Sequence, residues 1–241
     1  MNSILKQVGH RPWPLPNQKW AYYQEWNEVV FLHYPVDHSG LSEILPKGLE
    51  LDLFEGQAWI SLVAFTMQKI RPRYLPPFSP ISDFHEFNVR TYVRCNGKAG
   101  VYFLSVEGAK KLSCFMARTL SDLPYWYASM QRGPASFSVS NNKRSREFGM
   151  QFEIGAEKVS RSELEVWLTE RYGLFQDAGD IINTFDLHHL PWTLHEVLIK
   201  DLKFDYPEYN ALMQEGPQLM HYSPGVRVVS WEPIGYSSPD L

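Results

Sequence analysis

Glu86, Asn88 and Arg90 alternate along the stretch Glu86-Phe87-Asn88-Val89-Arg90. On a β-strand they share one face, with neighbours roughly 7 Å apart. A carboxylate, an amide and a guanidinium in that row form an ordinary polar face if they meet solvent. Inside a barrel they form a receptor for a small carboxylate or carbonyl compound. Arg118 and Asp122 stand one helical turn apart, and as a surface pair they would add little. Pro124-Tyr125-Trp126-Tyr127 puts aromatics on both faces of a strand, so either Tyr125 and Tyr127 or Trp126 turn inward. A buried phenol needs a hydrogen-bond partner, and core packing alone also accounts for these rings.

Other chemistry-bearing residues carry weaker signals. His188-His189 with His195 has no metal-ligand spacing, and neither His85-Glu86 nor His195-Glu196 is followed by the second histidine of a zincin motif. No metal is expected. Cys95 and Cys114 lack a CxxC partner and read as free buried thiols. There is no glycine loop for a nucleotide and no nucleophile elbow, so no cofactor is expected.

The elements that must position these residues are mostly strands. The chain has 241 residues, 15% aromatic residues and 17 prolines, a composition that favours a β-rich fold with many turns. A formal charge of −4 argues against nucleic acid as a partner. Lys143-Arg144-Ser145-Arg146, after Asn141-Asn142, reads as a solvated hairpin tip. Two cysteines make no disulfide framework, which fits a reducing, cytoplasmic setting. The N-terminus has no basic stretch followed by an apolar run, so no signal peptide is expected, and no apolar run is long enough for a membrane span.

Val29 to Tyr34 reads as a strand, and Asp37 caps a short helix through Leu45. Leu49 to Phe54 and Ala58 to Met67 read as a hairpin turning at Glu55-Gly56. Phe84 to Arg94 alternates, Asn96-Gly97 is a hairpin signal, and Val101 to Val106 returns. The period then changes: Leu112, Phe115, Met116, Thr119, Leu120 and Leu123 predict an amphipathic helix from Lys111, stopped by Pro124. Tyr125 to Gln131, Ala135 to Ser140 and Glu147 to Ile154 read as strands. Ser160 with Glu163 predicts a capping box for a helix to about Tyr172. Strands follow near Ile181 to Leu187, Trp192 to Phe204 and Val226 to Glu232. The Pro-rich stretch from Arg71 to Pro80 reads as a loop over the body, a lid or a rigid surface loop. These elements sum to one α+β domain over 1–241, mainly antiparallel β.

Ile44-Leu45-Pro46-Lys47-Gly48-Leu49-Glu50, Glu86 to Val93, Leu123-Pro124-Tyr125, Leu190-Pro191-Trp192 and Tyr222-Ser223-Pro224-Gly225-Val226 resemble the YqjF-like family over nearly the whole chain. Behind it stands a more distant likeness to acetoacetate decarboxylase. Glu86, Asn96-Gly97, Gly100, Tyr102, Arg118 and Pro124 follow that enzyme's order. The likeness implies a cone-shaped antiparallel β barrel with two or three flanking helices and a central ligand cavity. It also implies a departure: the decarboxylase's two lysines after the proline are Tyr125 and Trp126 here, and neither forms an imine. Lys110-Lys111 lies at the other end of the helix, roughly 20 Å away at 1.5 Å per residue. The resemblance implies a site of Glu86, Asn88, Arg90, Tyr102, Arg118 and Tyr125, with Glu86 and Tyr125 as catalytic candidates. Three readings follow: a receptor for a small polar or anionic molecule, a lysine-independent lyase, isomerase or hydratase, or an interaction protein with a filled barrel. The decarboxylase is an oligomer, which leaves a homo-oligomer open.

Overall fold

The computed structural model describes residues 3–237, the side chain of Leu120 excepted. After a 3-10 turn at Ile4–Lys6 come strand β1 (Tyr22–Val36), helix α1 (His38–Ser42), the short β2 (Glu50–Leu51) and the long β3 (Ala58–Pro72). Helix α2 (Ser79–Ser82) leads to β4 (Phe84–Cys95), β5 (Lys98–Gly108) and helix α3 (Lys111–Ser121). Strands β6 (Tyr125–Tyr127), β7 (Ser129–Gly133), β8 (Ser136–Asn141) and β9 (Arg146–Glu157) precede helix α4 (Glu163–Thr169). Strands β10 (Gly173–Ala178), β11 (Ile181–His188), β12 (His195–Asp205), β13 (Leu219–Ser230) and β14 (Ile234–Ser237) complete the order.

All the strands belong to one sheet, antiparallel except where β5 meets β6 and β10. Strand β13 pairs with β1, and its end also meets Leu187 and His188 of β11. That second pairing closes β1, β3, β4, β5, β10, β11 and β13 into a ring, the cone-like sheet the resemblance implies. Strands β12, β9, β8 and β7 continue from β13 as an arm. Phe137, Phe148 and Phe152 of the arm pack against Leu62, Phe87 and Val89 of the ring. The rings of Phe87 and Phe148 stack 4.3 Å apart.

Strand β4 is therefore buried on both faces. Phe87 and Val89 point out of the ring into that aromatic layer, and Glu86, Asn88 and Arg90 point into it. The adjoining strands present matching parity: Val63, Phe65 and Met67 from β3, Val101 and Phe103 from β5. On β1 the inward set is Gln24 and Trp26, then Val29 and Phe31. The switch from even to odd comes from a bulge around Glu28, whose φ is 52°.

Several elements differ from the sequence reading. Strand β2 pairs with β4, and Phe54 and Gln57 form only an isolated bridge. Both edges of β3 are already taken by β1 and β4, so the expected hairpin has no edge to use. The capping box is Ser162 with Glu165, two residues later than expected, and the helix ends at Thr169. The predicted strand from Tyr125 splits at Ala128 into β6 and β7. Strand β10 was not expected. Helix α3 buries Ser113 and Cys114, while Leu112 and Phe115 are 50% and 59% exposed. Its packing face is thus offset from the apolar stripe, because Ser113 bonds the Ile81 carbonyl and Cys114 sits on Gly108. Arg146 is not a solvated hairpin residue but is buried against Glu107 and Glu208. No helix among the described residues is long and apolar enough to cross a membrane.

Closure of the ring depends on a close backbone approach. A Cβ on Gly100 would lie 2.3 Å from the Gly173 carbonyl oxygen and 2.6 Å from the Phe175 ring, where β5 meets β10. Gly100→Ala is expected to cost at least about 1–3 kcal/mol of stability, read as a lower urea midpoint. An unchanged midpoint would mean that β5 and β10 do not meet as described.

Candidate functional site

The inward faces of β1, β3, β4, β5, β10 and β11 enclose a cavity of about 90 Å³ inside the ring. Tyr125 reaches it from β6, which runs parallel to β5 just after Pro124. Thr169 enters as the last residue of α4, Arg171 from just beyond it, and His189 and Trp192 from the segment after β11. Aromatic rings make up part of the walls: Trp26 and Trp192 stack at 6.1 Å, and Phe31 meets Trp192 edge-on at 5.2 Å.

Glu86 is 2% exposed. The Tyr125 hydroxyl donates to its Oε2 at 2.6 Å, and the Asn88 amide donates to its Oε1 at 3.2 Å. Burial raises the Glu86 carboxyl from an ordinary 4.5 to about 7, and the two hydrogen bonds and the Arg90 charge offset only part of that rise. The Tyr125 phenol is pushed well above its ordinary value, by burial first and then by Glu86, so it stays a donor. Near neutral pH the Glu86 carboxyl is therefore about half protonated while Tyr125 keeps its own proton.

Arg90 is also buried, lies over the Phe31 ring at 5.6 Å, and forms no ion pair with Glu86. Its Nε has no partner, nor do Nη2 of Arg171, Oδ1 of Asn88 and Nε1 of Trp26. All four side chains line the cavity. Buried polar atoms are normally bonded, so these four leave hydrogen-bonding capacity unused around one space. Arg171 is held in position by Asp52 at 2.6 Å and by the Trp167 carbonyl. His189 completes the wall as a neutral ring, because burial lowers it to about 4. Beyond Phe31 lies a further polar chain in which His33 contacts Ser61 at 2.6 Å and Ser61 contacts Tyr92 at 2.5 Å. No lysine lines the cavity, and among the described residues no group of three His, Cys, Asp or Glu is placed to hold a metal.

A family model described as an uncharacterised conserved protein, DUF2071, matches residues 23–227. The chain belongs to this family. It is 36% identical over 230 residues to the uncharacterised protein YqjF of Bacillus subtilis (strain 168), covering 90% of this chain and 93% of that one. Among solved structures it is similar to acetoacetate decarboxylase from Legionella pneumophila, with a TM-score of 0.63, 15% identity, and coverage of 95% and 94% of the two chains. It is also similar to the enduracididine biosynthesis enzyme MppR complexed with pyruvate, with a TM-score of 0.55, 13% identity, and the same coverage. At these identities the likeness to the two enzymes is one of fold.

Of the residues singled out in the sequence, the structure brings Glu86, Asn88, Arg90 and Tyr125 together and leaves two outside. Tyr102 points the other way from β5, donates to Asp177 at 2.7 Å and packs with Leu49, Val93 and Phe175. The parity of β5 explains this, since Val101 and Phe103 take the inward places. Arg118 is exposed on α3 and lies 5.4 Å from the Trp126 ring, away from Glu86. Of the aromatic triplet only Tyr125 is buried; Trp126 and Tyr127 are 38% and 45% exposed. Lys110 bonds the Ser79 carbonyl and Lys111 lies over Tyr127, both outside the cavity. Arg171, Trp26, Trp192 and His189 were missed.

Proposed function

We propose that this protein receives a small carboxylate or carbonyl compound in the ring cavity without forming a Schiff base. The observation that carries the reading is the buried Arg90, unpaired and facing a cavity with other orphaned polar atoms. A guanidinium in such surroundings suits a ligand carboxylate. Asn88, Trp26 and Arg171 supply further bonds, and the aromatic walls exclude water. A cavity of this kind argues against a ring filled by its own side chains. The complex of MppR with pyruvate supports a short 2-oxo acid as the first probe.

A second reading is favoured by one observation. Glu86, raised to about 7, shares a short hydrogen bond with Tyr125. That pair suits proton transfer at a carbon beside a carbonyl, as in a lysine-independent lyase, isomerase or hydratase. The leading reading makes a direct prediction. Borohydride added with acetoacetate or pyruvate leaves the protein mass unchanged, because no lysine lines the cavity. A thermal-shift panel of keto and hydroxy acids should raise the midpoint by mass action. A trapped adduct would show that a lysine had been recruited, and a panel without any shift would count against the receptor.

A further inference from the structure

The cavity around Glu86 has a neighbour. A second chamber of about 220 Å³ lies between the ring and the inner face of α3. Gln24, Leu123, Tyr125, Leu174 and Leu187 line both spaces, so the two adjoin along these side chains. Their chemistry differs. The inner one presents Glu86, Asn88, Arg90 and Arg171, whereas the outer one is walled mainly by apolar side chains such as Ile70, Phe84, Met116, Phe185 and Trp231, with Arg71 and Glu232 as its charged members. The start of the Pro-rich stretch borders it at Arg71 and Pro72, Ile81 just after that stretch does too, and the chamber reaches the surface beside the exposed Glu232.

The inner cavity alone is small against ligand sites of roughly 300–1,000 Å³, and the two spaces together approach the lower end of that range. A ligand of carboxylate and carbonyl groups only would fill the inner space and leave an apolar chamber beside it uncovered.

We infer that the ligand is amphipathic: an acid whose polar head sits at Arg90 and Glu86 and whose unbranched apolar tail passes Tyr125 into the chamber under α3. This rests on the receptor reading above and adds the substrate class. The tail draws its affinity from leaving water, so binding should strengthen with length until the chamber is full.

The test is calorimetric titration of the full chain with straight-chain 2-oxo acids, from pyruvate to 2-oxooctanoate. Affinity is expected to rise about threefold to fourfold per added methylene and then to level off. Ala117→Phe narrows the outer chamber and should remove the gain with length while leaving pyruvate binding in place. Met116→Ala widens it and should move the plateau to a longer acid. Retained pyruvate binding shows that either variant is folded. If all lengths bind as pyruvate does, or if neither variant alters the length dependence, the tail does not occupy this chamber and the inference falls while the receptor stands. If no acid of any length binds, both fall.

Discussion

Arg90→Met is expected to weaken binding of a carboxylate ligand by about tenfold to a hundredfold and, at the same time, to make the unliganded protein more stable. The first effect follows from losing a charge-assisted bond, roughly 1.5–3 kcal/mol. The second follows from burial: Arg90 is 9% exposed, has no ion pair, and leaves Nε without a partner. A buried charge carries an effective desolvation cost of several kcal/mol, which a methionine of similar length does not. The contact with Phe31, centred at 5.6 Å, returns only a small part of that cost. The gain, on the order of 1–3 kcal/mol, is read from urea unfolding near pH 6, where Glu86 is mostly protonated and draws little on Arg90. The opposite signs make the measurement decisive. A residue kept for structure would lose stability on replacement, and a residue outside the site would leave affinity unchanged. Only a receptor residue held at a cost to the fold gives weaker binding and higher stability together.

The same cost explains which parts of the site were legible in the sequence. Glu86, Asn88 and Arg90 stood out because polar residues at every second position interrupt an apolar strand, and period-2 alternation gives them one face. Alternation does not say which face is the inside; the aromatic arm settles that by covering Phe87 and Val89. Tyr125 was legible from its place after Pro124, yet not which of the three aromatics would turn inward. Arg118 and Tyr102 came from likeness to a decarboxylase, a warrant of fold and not of side-chain direction. Three of the four missed residues share one property: Arg171, His189 and Trp192 lie far along the chain from Glu86 and reach the cavity through ring closure by β10, β11 and β13. Local pattern holds no trace of such a closure. The capping box shows the limit on a smaller scale. Ser160–Glu163 and Ser162–Glu165 have the same spacing, and the second forms because Glu165 is also held by His221 and Lys158, each at 2.8 Å.

Glu86→Gln is expected to change the pH dependence of both stability and binding. In the folded protein the carboxyl keeps its proton up to about pH 7, and once unfolded it loses that proton near the ordinary 4.5. Between these values the folded state binds more protons than the unfolded state, so stability falls as pH rises. The contribution is fully present below 4.5 and is lost by the time pH has passed about 7. A displacement of this size corresponds to something on the order of 3 kcal/mol across the window. Glutamine keeps an acceptor for the Tyr125 hydroxyl and a polar neighbour for Asn88, but it has no charge to bury. The variant should match the wild type near pH 4.5 and exceed it increasingly towards pH 8. Taking the difference between the two proteins cancels the histidines and other groups that titrate in both. Binding should follow the same proton. Above pH 7 an ionised Glu86 repels a ligand carboxylate held at Arg90, so wild-type affinity drops by up to about tenfold per pH unit, and the Glu86→Gln profile stays flat. Parallel stability curves for the two proteins would mean that Glu86 is ionised throughout and paired with a cation. The site would then be a closed ion-pair network rather than a receptor, and the orphaned Arg90 would need a different explanation.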